Sequence, residues 1–408
     1  MAKPSKLNRN VVLVSLTSFF TDVSSEMLYP QIQAFVGIIL SAQKALVGPV
    51  LGLVEGIAES TAGLSKVFFG FWSDKLQKRK SPTLAGYVLS ALSKGMLFLA
   101  TLGWPFVLAS RFLDRVGKGI RTAPRDALIA ESASKATRGR AFGFHRAMDF
   151  AGAAVGVLIC YAVSLKFLDP VSGNLNDMHA FFVLFALSLI PAAAGILFLL
   201  PVREGIPASR QGADRPKPSF DIRRYDKNLR WFFLAQGLFT LGNSSNQFLL
   251  LRSRSLGHHM PAVILMYMAF NVTTSLLSTF FGSLSDRLGR KRLLMSGYGL
   301  YALTYTAFGW ISTGGKNLLW PVWIFYGVYY AMTEGVEKAL VADLSPEHSR
   351  ATAQGMFQTI VGIGLLPASL IAGLLYAWNP AAPFLFGGAT TMVSIALLAV
   401  LHVPKQSV

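Results

Sequence analysis

Apolar residues occur in long stretches that are separated by short polar segments. A helix needs about 20 predominantly apolar residues to cross the hydrocarbon core of a bilayer. The chain contains twelve stretches of about that length: 11–38, 46–71, 82–103, 104–130, 138–166, 178–201, 230–253, 261–284, 293–312, 318–343, 350–376 and 380–403. The pattern therefore predicts an all-α membrane protein with 12 transmembrane helices.

Composition supports a lipid environment. Of 408 residues, 52% are hydrophobic and 14% are charged, whereas globular domains carry about 25% charged residues. The net charge of +18 could indicate nucleic-acid binding. The Lys and Arg residues lie in short clusters between the apolar stretches, however, so we expect the lipid bilayer and no nucleic acid as a partner. With Cys160 as the single cysteine, no intramolecular disulfide is possible.

Basic residues concentrate in alternate connections, at 75–80, 135–140, 203–230 and 287–292. Cytoplasmic connections carry such an excess of Lys and Arg. The distribution predicts a multi-pass protein of a bacterial-type inner (cytoplasmic) membrane with both termini in the cytoplasm. Arg252 and Arg254, on the opposite side, are the exception.

An internal repeat divides the chain into two halves. Three pairs of segments match at one offset of 212 residues (282 − 70): 70–80 with 282–292, 126–131 with 338–343, and 138–143 with 350–355. A constant offset through polar loops favours duplication of a six-span unit. We expect an N-terminal six-helix bundle at 1–201, a cytoplasmic linker at 202–229, and a C-terminal six-helix bundle at 230–408.

The repeated segments resemble those of a known family. Gly-x-x-Ser-Asp-(Lys/Arg)-Leu, at 70–76 and 282–288, is similar to the signature loop of the major facilitator superfamily. Arg111-Phe-Leu-x-x-x-Gly117-x-Gly119 resembles its fourth-helix motif, whose arginine the family uses in proton coupling. The resemblance implies two pseudo-symmetric bundles, alternating access, and a cavity lined by spans 1, 4, 7 and 10. Gly152-x-x-x-Gly156 has only the glycine spacing of the antiporter motif, without its proline.

Ionisable residues inside the predicted spans are the candidate coupling groups. A charge at the centre of a span costs about 2.5–3.5 kcal/mol on insertion scales, so it is kept where it faces partners or a wet cavity. Carboxylates of span 1 and cations of span 4 lie at similar depth, and proximity to a cation or loss of water shifts proton affinity in opposite directions. We expect proton coupling at Asp22, Glu26, Arg111, Asp114 and Arg115. The alternative is that these pairs only hold helices together.

Two further groups of residues are candidates for substrate binding and for gating. Hydrogen-bonding and aromatic groups of the second half, with a cation of the first, suit a substrate cavity: Lys118, Asn243, Asn246, Gln247, Tyr330 and Glu334. Interhelical hydrogen bonding is the other reading of each. Residues at the cytoplasmic ends of the spans suit a gate: Gly70, Asp74, Arg79, Arg138, Gly282, Asp286, Arg290 and Arg350.

The predicted function is secondary active transport of a small organic solute, with protons as the second partner and a monomer as the working unit. Asp22 and Glu26 with Arg111 resemble the arrangement of multidrug–proton antiporters, and this resemblance implies proton-coupled efflux by antiport. Proton-coupled uptake of an anionic metabolite or siderophore-like compound, lysolipid or amphiphile transport, and a membrane receptor are the alternatives. The histidines lack metal-ligand spacing, and phosphate-loop, nucleophile-elbow and zinc-protease motifs are missing, so we expect no metal, no cofactor and no enzyme.

Overall fold

The structure, a computed structural model, describes residues 7–76, 78–133, 138–167, 178–204, 222–345 and 350–400. Regular secondary structure in these ranges is entirely helical. The α-helices are α1 (Arg9–Glu26), α2 (Ile32–Ile39), α3 (Val47–Leu76), α4 (Lys80–Gly95), α5 (Pro105–Glu131), α6 (Arg138–Lys166), α7 (Met178–Leu199), α8 (Lys227–Gly242), α9 (Asn246–Ser255), α10 (Met260–Leu288), α11 (Arg290–Trp310), α12 (Leu319–Leu344), α13 (Arg350–Trp378) and α14 (Ala382–Val400).

These fourteen helices form twelve spans, because two spans are each made of two helices. A 3₁₀ turn at Tyr29–Gln31 joins α1 to α2 in span 1, and Pro30 inside it removes a backbone donor. In span 7, the residues Asn243–Ser245 separate α8 from α9. The predicted all-α fold with 12 transmembrane helices is confirmed, and the breaks at 29–31 and 243–245 are additions to it.

Eight helical segments of the described chain are long and apolar enough to cross a membrane by length and composition alone. The span formed by α5 is not among them, since it carries the stripe of arginines, lysine and aspartates. Its charges must therefore be compensated by neighbouring helices rather than by lipid.

The chain divides into two compact units. Unit 1 comprises Met1–Ile39 and Thr61–Asp214, and unit 2 comprises Leu40–Ser60 and Arg215–Val408. The units differ from the predicted bundles at Leu40–Ser60, which precede the repeat boundary in sequence yet cluster with the second half. Of the predicted linker 202–229, residues 205–221 lie outside the described residues.

Small residues explain why the first half of α3 packs within unit 2. Gly48, Gly52 and Gly56 recur every four residues along one face of α3, and this face lies against α13. A Cβ atom built on Gly48 would lie 2.7 Å from the carbonyl oxygen of Gly373, and one built on Gly373 would lie 2.6 Å from that of Gly48. The two backbones are in contact, which only small residues permit.

Within unit 1, α1 packs against α6 and α7, and α4 packs against α5. Glycines again mark the crossings. A Cβ on Gly86 of α4 would lie 2.6 Å from the carbonyl oxygen of Gly117 of α5, and the reverse distance is also 2.6 Å. A Cβ on Gly156 of α6 would lie 2.5 Å from the carbonyl oxygen of Val23 in α1. These close approaches fix the position of α5, the helix with the charged stripe, against α4.

Within unit 2, α8 packs against α13 and α14, while α12 packs against α10 and α11. Large aromatic side chains fill the interior between them, with Tyr298, Tyr301, Tyr305, Trp323 and Tyr326 fully buried. Buried hydroxyl groups need hydrogen-bond partners, so this interior is both aromatic and hydrogen-bonded.

Arg252, an exception to the charge distribution, has a structural role. Its Nε donates to the carbonyl oxygen of Phe308 at 2.9 Å, and one Nη donates to those of Gly309 and Ile311 at 3.2 and 3.0 Å. These carbonyls end α11, where no backbone donor follows and the helix dipole favours a cation. Arg252 therefore caps α11.

Candidate functional site

Span 4 carries two arginines that are buried without lying in lipid. Arg111 is 8% exposed and Arg121 is 5% exposed. The guanidinium of Arg111 lies over the ring of Tyr29 at 5.3 Å, and that of Arg121 over the ring of Tyr87 at 4.7 Å. Such contacts stabilise a desolvated cation by about 2 kcal/mol or more. The two aromatic rings thus compensate in part for the lost hydration.

Asp22 of α1 lies in a group of charges from three helices. It is within electrostatic range of Lys118 and Arg121 on α5, Asp149 on α6 and Glu26 on its own helix. Asp149 is within electrostatic range of Arg125, Arg146 and Lys118. Two carboxylates therefore share the field of the same lysine. We call Asp22, Glu26, Lys118, Arg121 and Asp149 the charge cluster.

A second ionic contact borders the charge cluster. Lys94 of α4 is 4% exposed, and its ammonium donates to the hydroxyl of Ser24. Lys94 is in electrostatic range of both Asp22 and Asp114 of α5. Asp114 accepts a hydrogen bond from Ser90, and its nearby cations on α5 are Arg115 and Arg121.

Lys94 is the residue that the sequence analysis missed. It is the single charged residue in the apolar stretch 82–103. The cost of an isolated charge within a span was the signal that could have identified it. Its position links span 3 to the predicted coupling residues of spans 1 and 4.

Three predicted cavity residues of unit 2 lie at the break between α8 and α9. Ser245 caps α9: its hydroxyl accepts from the backbone N–H of Gln247 at 3.3 Å and donates to Glu55 Oε2 at 3.0 Å. Asn243 and Asn246 are half-buried, whereas Gln247 is fully buried. The break therefore places two amide side chains, rather than three, at partly exposed positions.

The break in span 7 is held by tyrosines and by a buried carboxylate. Tyr301 donates to the carbonyl oxygen of Gly242 at 2.9 Å, and Tyr326 donates to Asn246 Oδ1 at 2.8 Å. Glu55, the partner of Ser245, is fully buried. A carboxylate at the N-terminus of a helix is favoured by the helix dipole, so Glu55 stabilises the start of α9.

The remaining predicted cavity residues are on α12. Tyr330 is half-buried, and its ring meets that of Phe270 edge to face with centroids 5.4 Å apart. Glu334 is paired one turn later with Lys338, with Oε1 and Nζ 3.6 Å apart. Both residues lie on the stretch of α12 that carries the charges of span 10.

Two of the predicted gate residues form similar contacts in the two units, although the arginines are shifted by one residue within the repeat: Arg290 follows Arg79 by 211 residues (290 − 79), whereas Asp343 follows Glu131 by 212 (343 − 131). Arg79 Nε lies 3.4 Å from Glu131 Oε1 in unit 1, and Arg290 pairs with Asp343 in unit 2. The next lysine in each unit also repeats its contact: Lys80 Nζ donates to the carbonyl oxygen of Leu200 at 2.7 Å, and Lys291 Nζ to that of Ala399 at 2.8 Å. We call this arrangement the basic corner.

The other gate residues are described only in part. Gly282 lies in the last turns of α10. Gly70 and Asp74 are on α3, Asp286 is on α10, and Arg138 and Arg350 begin α6 and α13, but their environments lie outside the described side chains. Among the described residues, no group of three His, Cys, Asp or Glu side chains could hold a metal ion.

Comparison with known proteins identifies the family. The sequence matches the model of the Major Facilitator Superfamily over residues 14–333 and 232–408. An "uncharacterized MFS-type transporter" of Methanocaldococcus jannaschii is 36% identical over 409 residues, covering 96% of this chain and 95% of that protein. The quinolone resistance protein NorA of Staphylococcus aureus is 29% identical over 145 residues, 35% of this chain and 37% of that protein.

The crystal structure of a D-xylose–proton symporter aligns with a TM-score of 0.73 at 15% identity, over 97% of this chain and 98% of that one. The resemblance of the signature loops is thus confirmed, and the chain belongs to the major facilitator superfamily of multi-pass membrane transporters.

Proposed function

We propose that the protein exports a small organic compound in exchange for protons, with the charge cluster of unit 1 as the coupling site. The observation that carries the proposal is the placement of Asp22 and Asp149 in the field of the same Lys118. Two carboxylates near each other repel when both are ionised. The site therefore favours holding one proton, and a movement of Lys118 changes how firmly it is held.

Protonation is coupled to solute transport if the surroundings of the charge cluster change during the transport cycle. Access of water stabilises an ionised carboxylate, and its exclusion favours the protonated form. Asp22 and Glu26 are half-buried, so they are open to such a change. Arg111, Asp114 and Arg115 lie on α5 with Lys118; we assign them to positioning and tuning the cations that face span 1.

Export is the direction we favour. NorA, which is similar to this chain over part of its length, is named for quinolone resistance. The proposed substrate-binding residues are Lys118 in unit 1 and Asn243, Asn246, Gln247, Tyr330 and Glu334 in unit 2. Aromatic and amide groups of this kind suit organic compounds with hydrogen-bonding groups on an apolar frame.

The test is transport into proteoliposomes under an imposed pH gradient. A thermal-shift screen across drugs and metabolites identifies the solute, with the quinolone norfloxacin and the cation ethidium as first probes. Asp22→Asn and Glu26→Gln should lose gradient-driven accumulation and still bind the solute. Asp226→Asn is the control and should transport normally, because Asp226 is exposed and its side chain caps α8 by accepting from the backbone N–H of Asn228 at 2.9 Å, a role that asparagine keeps. Normal pumping by both coupling variants would refute the assignment.

The second candidate is proton-coupled uptake of an anionic metabolite or siderophore-like compound. The observation in its favour is the excess of cations on α5, which carries five basic residues against three acidic ones: Arg111, Arg115, Lys118, Arg121 and Arg125 against Asp114, Asp126 and Glu131. Positive potential in a cleft attracts anions. With the vesicle interior alkaline, solute and protons entering together would favour this candidate over antiport.

The remaining alternatives are separated by the same vesicles. Flux of a lysolipid would favour an amphiphile carrier, and absence of flux with every ligand that binds would favour a receptor. We further propose that the protein is a monomer in a bacterial-type inner membrane with both termini in the cytoplasm, with bundles at 1–201 and 230–408 and the linker 202–229 between them. The distribution of Lys and Arg among the loops supports this orientation.

A further inference from the structure

Three side chains of unit 2 form a buried hydrogen-bonded chain that the proposed coupling site does not use. The hydroxyl of Tyr298 on α11 lies 2.6 Å from Gln236 Oε1 on α8 and 2.9 Å from Glu337 Oε1 on α12. Tyr298 and Gln236 are buried, and Glu337 is half-buried. The chain thus connects spans 7, 9 and 10.

The number of donor protons determines the protonation state that this hydrogen-bonded chain requires. A tyrosine hydroxyl has one proton to donate, and carboxylate and amide oxygens only accept. With an ionised Glu337, one of the two oxygen pairs would face each other without a proton between them. A proton on the Glu337 carboxyl satisfies both contacts: Glu337 donates to Tyr298, and Tyr298 donates to Gln236.

The surroundings favour the same arrangement. The ring of Tyr298 is stacked on that of Phe239, with centroids 4.0 Å apart and planes 6° apart, so the hydroxyl oxygen is held in place. Within the described part of the chain, the hydrogen-bond partners of Glu337 are uncharged. Burying an ionised carboxylate among neutral partners costs more than burying the neutral acid.

Among the described residues, few titratable groups face Glu337. They are Tyr298 on α11 and Tyr329, Tyr330, Glu334 and Lys338 on α12. Lys338, the cation among them, is paired with Glu334. From α8 comes the neutral Gln236, and from α13 Gln354 donates to the backbone oxygen of Lys338. The acidic and basic groups beside Glu337 thus compensate each other.

We propose that Glu337 is a second proton-binding residue, located in unit 2, and that its proton sets the direction of the hydrogen-bonded chain from span 10 to span 7. The inference rests on the proposed function only in taking protons as the coupling ion. When the carboxyl releases its proton to water, Tyr298 turns its own hydroxyl proton to the carboxylate. Gln236 Oε1 then has no donor, while the Gln236 amide is itself a hydrogen-bond partner of Glu337, so the contact between Gln236 and Tyr298 weakens.

The weakened contact between Tyr298 and Gln236 would carry the protonation state of span 10 to the broken helix. Gln236 belongs to α8, which ends at Gly242 beside the break at Asn243–Ser245. A change in its hydrogen bonding acts on the helix that carries the proposed substrate residues Asn243 and Asn246. The hydrogen-bonded chain of Glu337, Tyr298 and Gln236 therefore gives unit 2 a response to protonation that is separate from the charge cluster.

Infrared difference spectroscopy of the full-length protein in liposomes tests this directly, without a transported solute. Across a pH titration, the wild type should show the carbonyl stretching band of a protonated carboxyl that disappears in Glu337→Gln. The matched control Glu334→Gln, one turn away, should keep the band. Tyr298→Phe should keep the carbonyl band but shift it to a higher frequency, because the Glu337 carboxyl loses its hydrogen-bond acceptor. This variant still tests the inference if Glu337→Gln fails to fold.

The outcomes separate this inference from the proposed function. A band unchanged in Glu337→Gln, or a frequency unmoved in Tyr298→Phe, would overturn the inference. If an imposed pH gradient drives no flux but the band behaves as expected, the coupling proposal fails and the Glu337 site stands. If flux depends on Asp22 and Glu26 but the band is missing, the coupling proposal stands and the Glu337 site fails.

Discussion

Individual cations inside unit 1 are held by different kinds of neighbour. The Lys94 ammonium donates to a serine hydroxyl and is in electrostatic range of two aspartates. The guanidinium groups of Arg111 and Arg121 instead lie over tyrosine rings. Arginine suits the faces of rings because its guanidinium is planar and weakly hydrated. A lysine ammonium is compact and strongly hydrated, so it needs oxygen atoms and negative charge nearby.

Lys94→Met should destabilise unit 1. Removing one partner from a buried ionic contact leaves the other charges uncompensated, which costs about 3–5 kcal/mol. We expect a clearly lower thermal unfolding midpoint of the detergent-solubilised protein. Lys166→Met, at the exposed end of α6, is the control and should leave the midpoint unchanged. A normal midpoint for Lys94→Met would show that Ser24 and the aspartates do not depend on this cation.

The sequence indicated which helices carry charges, but it could not identify their partners. Asp22 and Glu26 follow from periodicity on one helix. The rotation of α1 against α4, α5 and α6 decides which cations they meet, and this rotation depends on packing between distant residues. Tyr29 and Tyr87, the neighbours of the two arginines, look like ordinary apolar positions in the sequence.

Whole helices were easier to predict than their interruptions. The 3₁₀ turn in span 1 has a proline as a local signal. The break in span 7 contains no proline, but the run Gly-Asn-Ser-Ser-Asn at 242–246 is a local signal that the prediction of a continuous stretch 230–253 did not use; Ser245 ends the break by capping α9. A capping residue is recognised only when the break is already known, because serine also occurs within helices.

Helix crossings in unit 1 depend on glycine, and the α4–α5 crossing allows a matched test. Gly117→Ala would place a methyl group 2.6 Å from the carbonyl oxygen of Gly86, closer than van der Waals contact permits. We expect a reduced unfolding midpoint and reduced transport, because α5 carries the charge cluster's cations. Gly95→Ala is the control, since a Cβ there meets no atom within 4 Å.

The Gly95→Ala control shows what adding a methyl group does where there is space for it. Alanine is favoured over glycine within helices by about 1 kcal/mol, so Gly95→Ala should preserve or slightly raise the midpoint. If Gly117→Ala behaved in the same way, the close approach of α4 and α5 would not be needed for stability.

At the scale of the molecule, twelve spans and membership of the superfamily followed from the sequence. The assignment of Leu40–Ser60 to unit 2 did not, because the repeat divides the chain at a single point. Span 2 begins in unit 2 and ends in unit 1. Alternating access requires contacts that open and close, so the packing of α3 on α13 is a contact whose opening can be tested.

A disulfide between α3 and α13 should stop transport reversibly. The Cβ of Tyr376 lies 3.4 Å from the position of a Cβ on Gly48, close to the separation of about 3.5–4.5 Å in disulfides. In a Cys160→Ser background, Gly48→Cys with Tyr376→Cys should cross-link under mild oxidation and lose flux of the solute identified by screening. Gly48→Cys alone controls for crowding, because its Cβ would lie 2.7 Å from the carbonyl oxygen of Gly373. Reduction should restore flux to the level of that single variant. Full transport by the cross-linked protein would show that α3 and α13 stay together throughout the cycle.

The basic corner has a practical consequence for studying this transporter. Because Arg79 with Glu131 and Arg290 with Asp343 form the same pair twice in one polypeptide, the molecule carries an internal reference for its own variants. A substitution in the first copy can be compared with its twin in the second under identical lipid, pH and expression. Any difference between the twins then measures how far the two halves have specialised since they were one sequence.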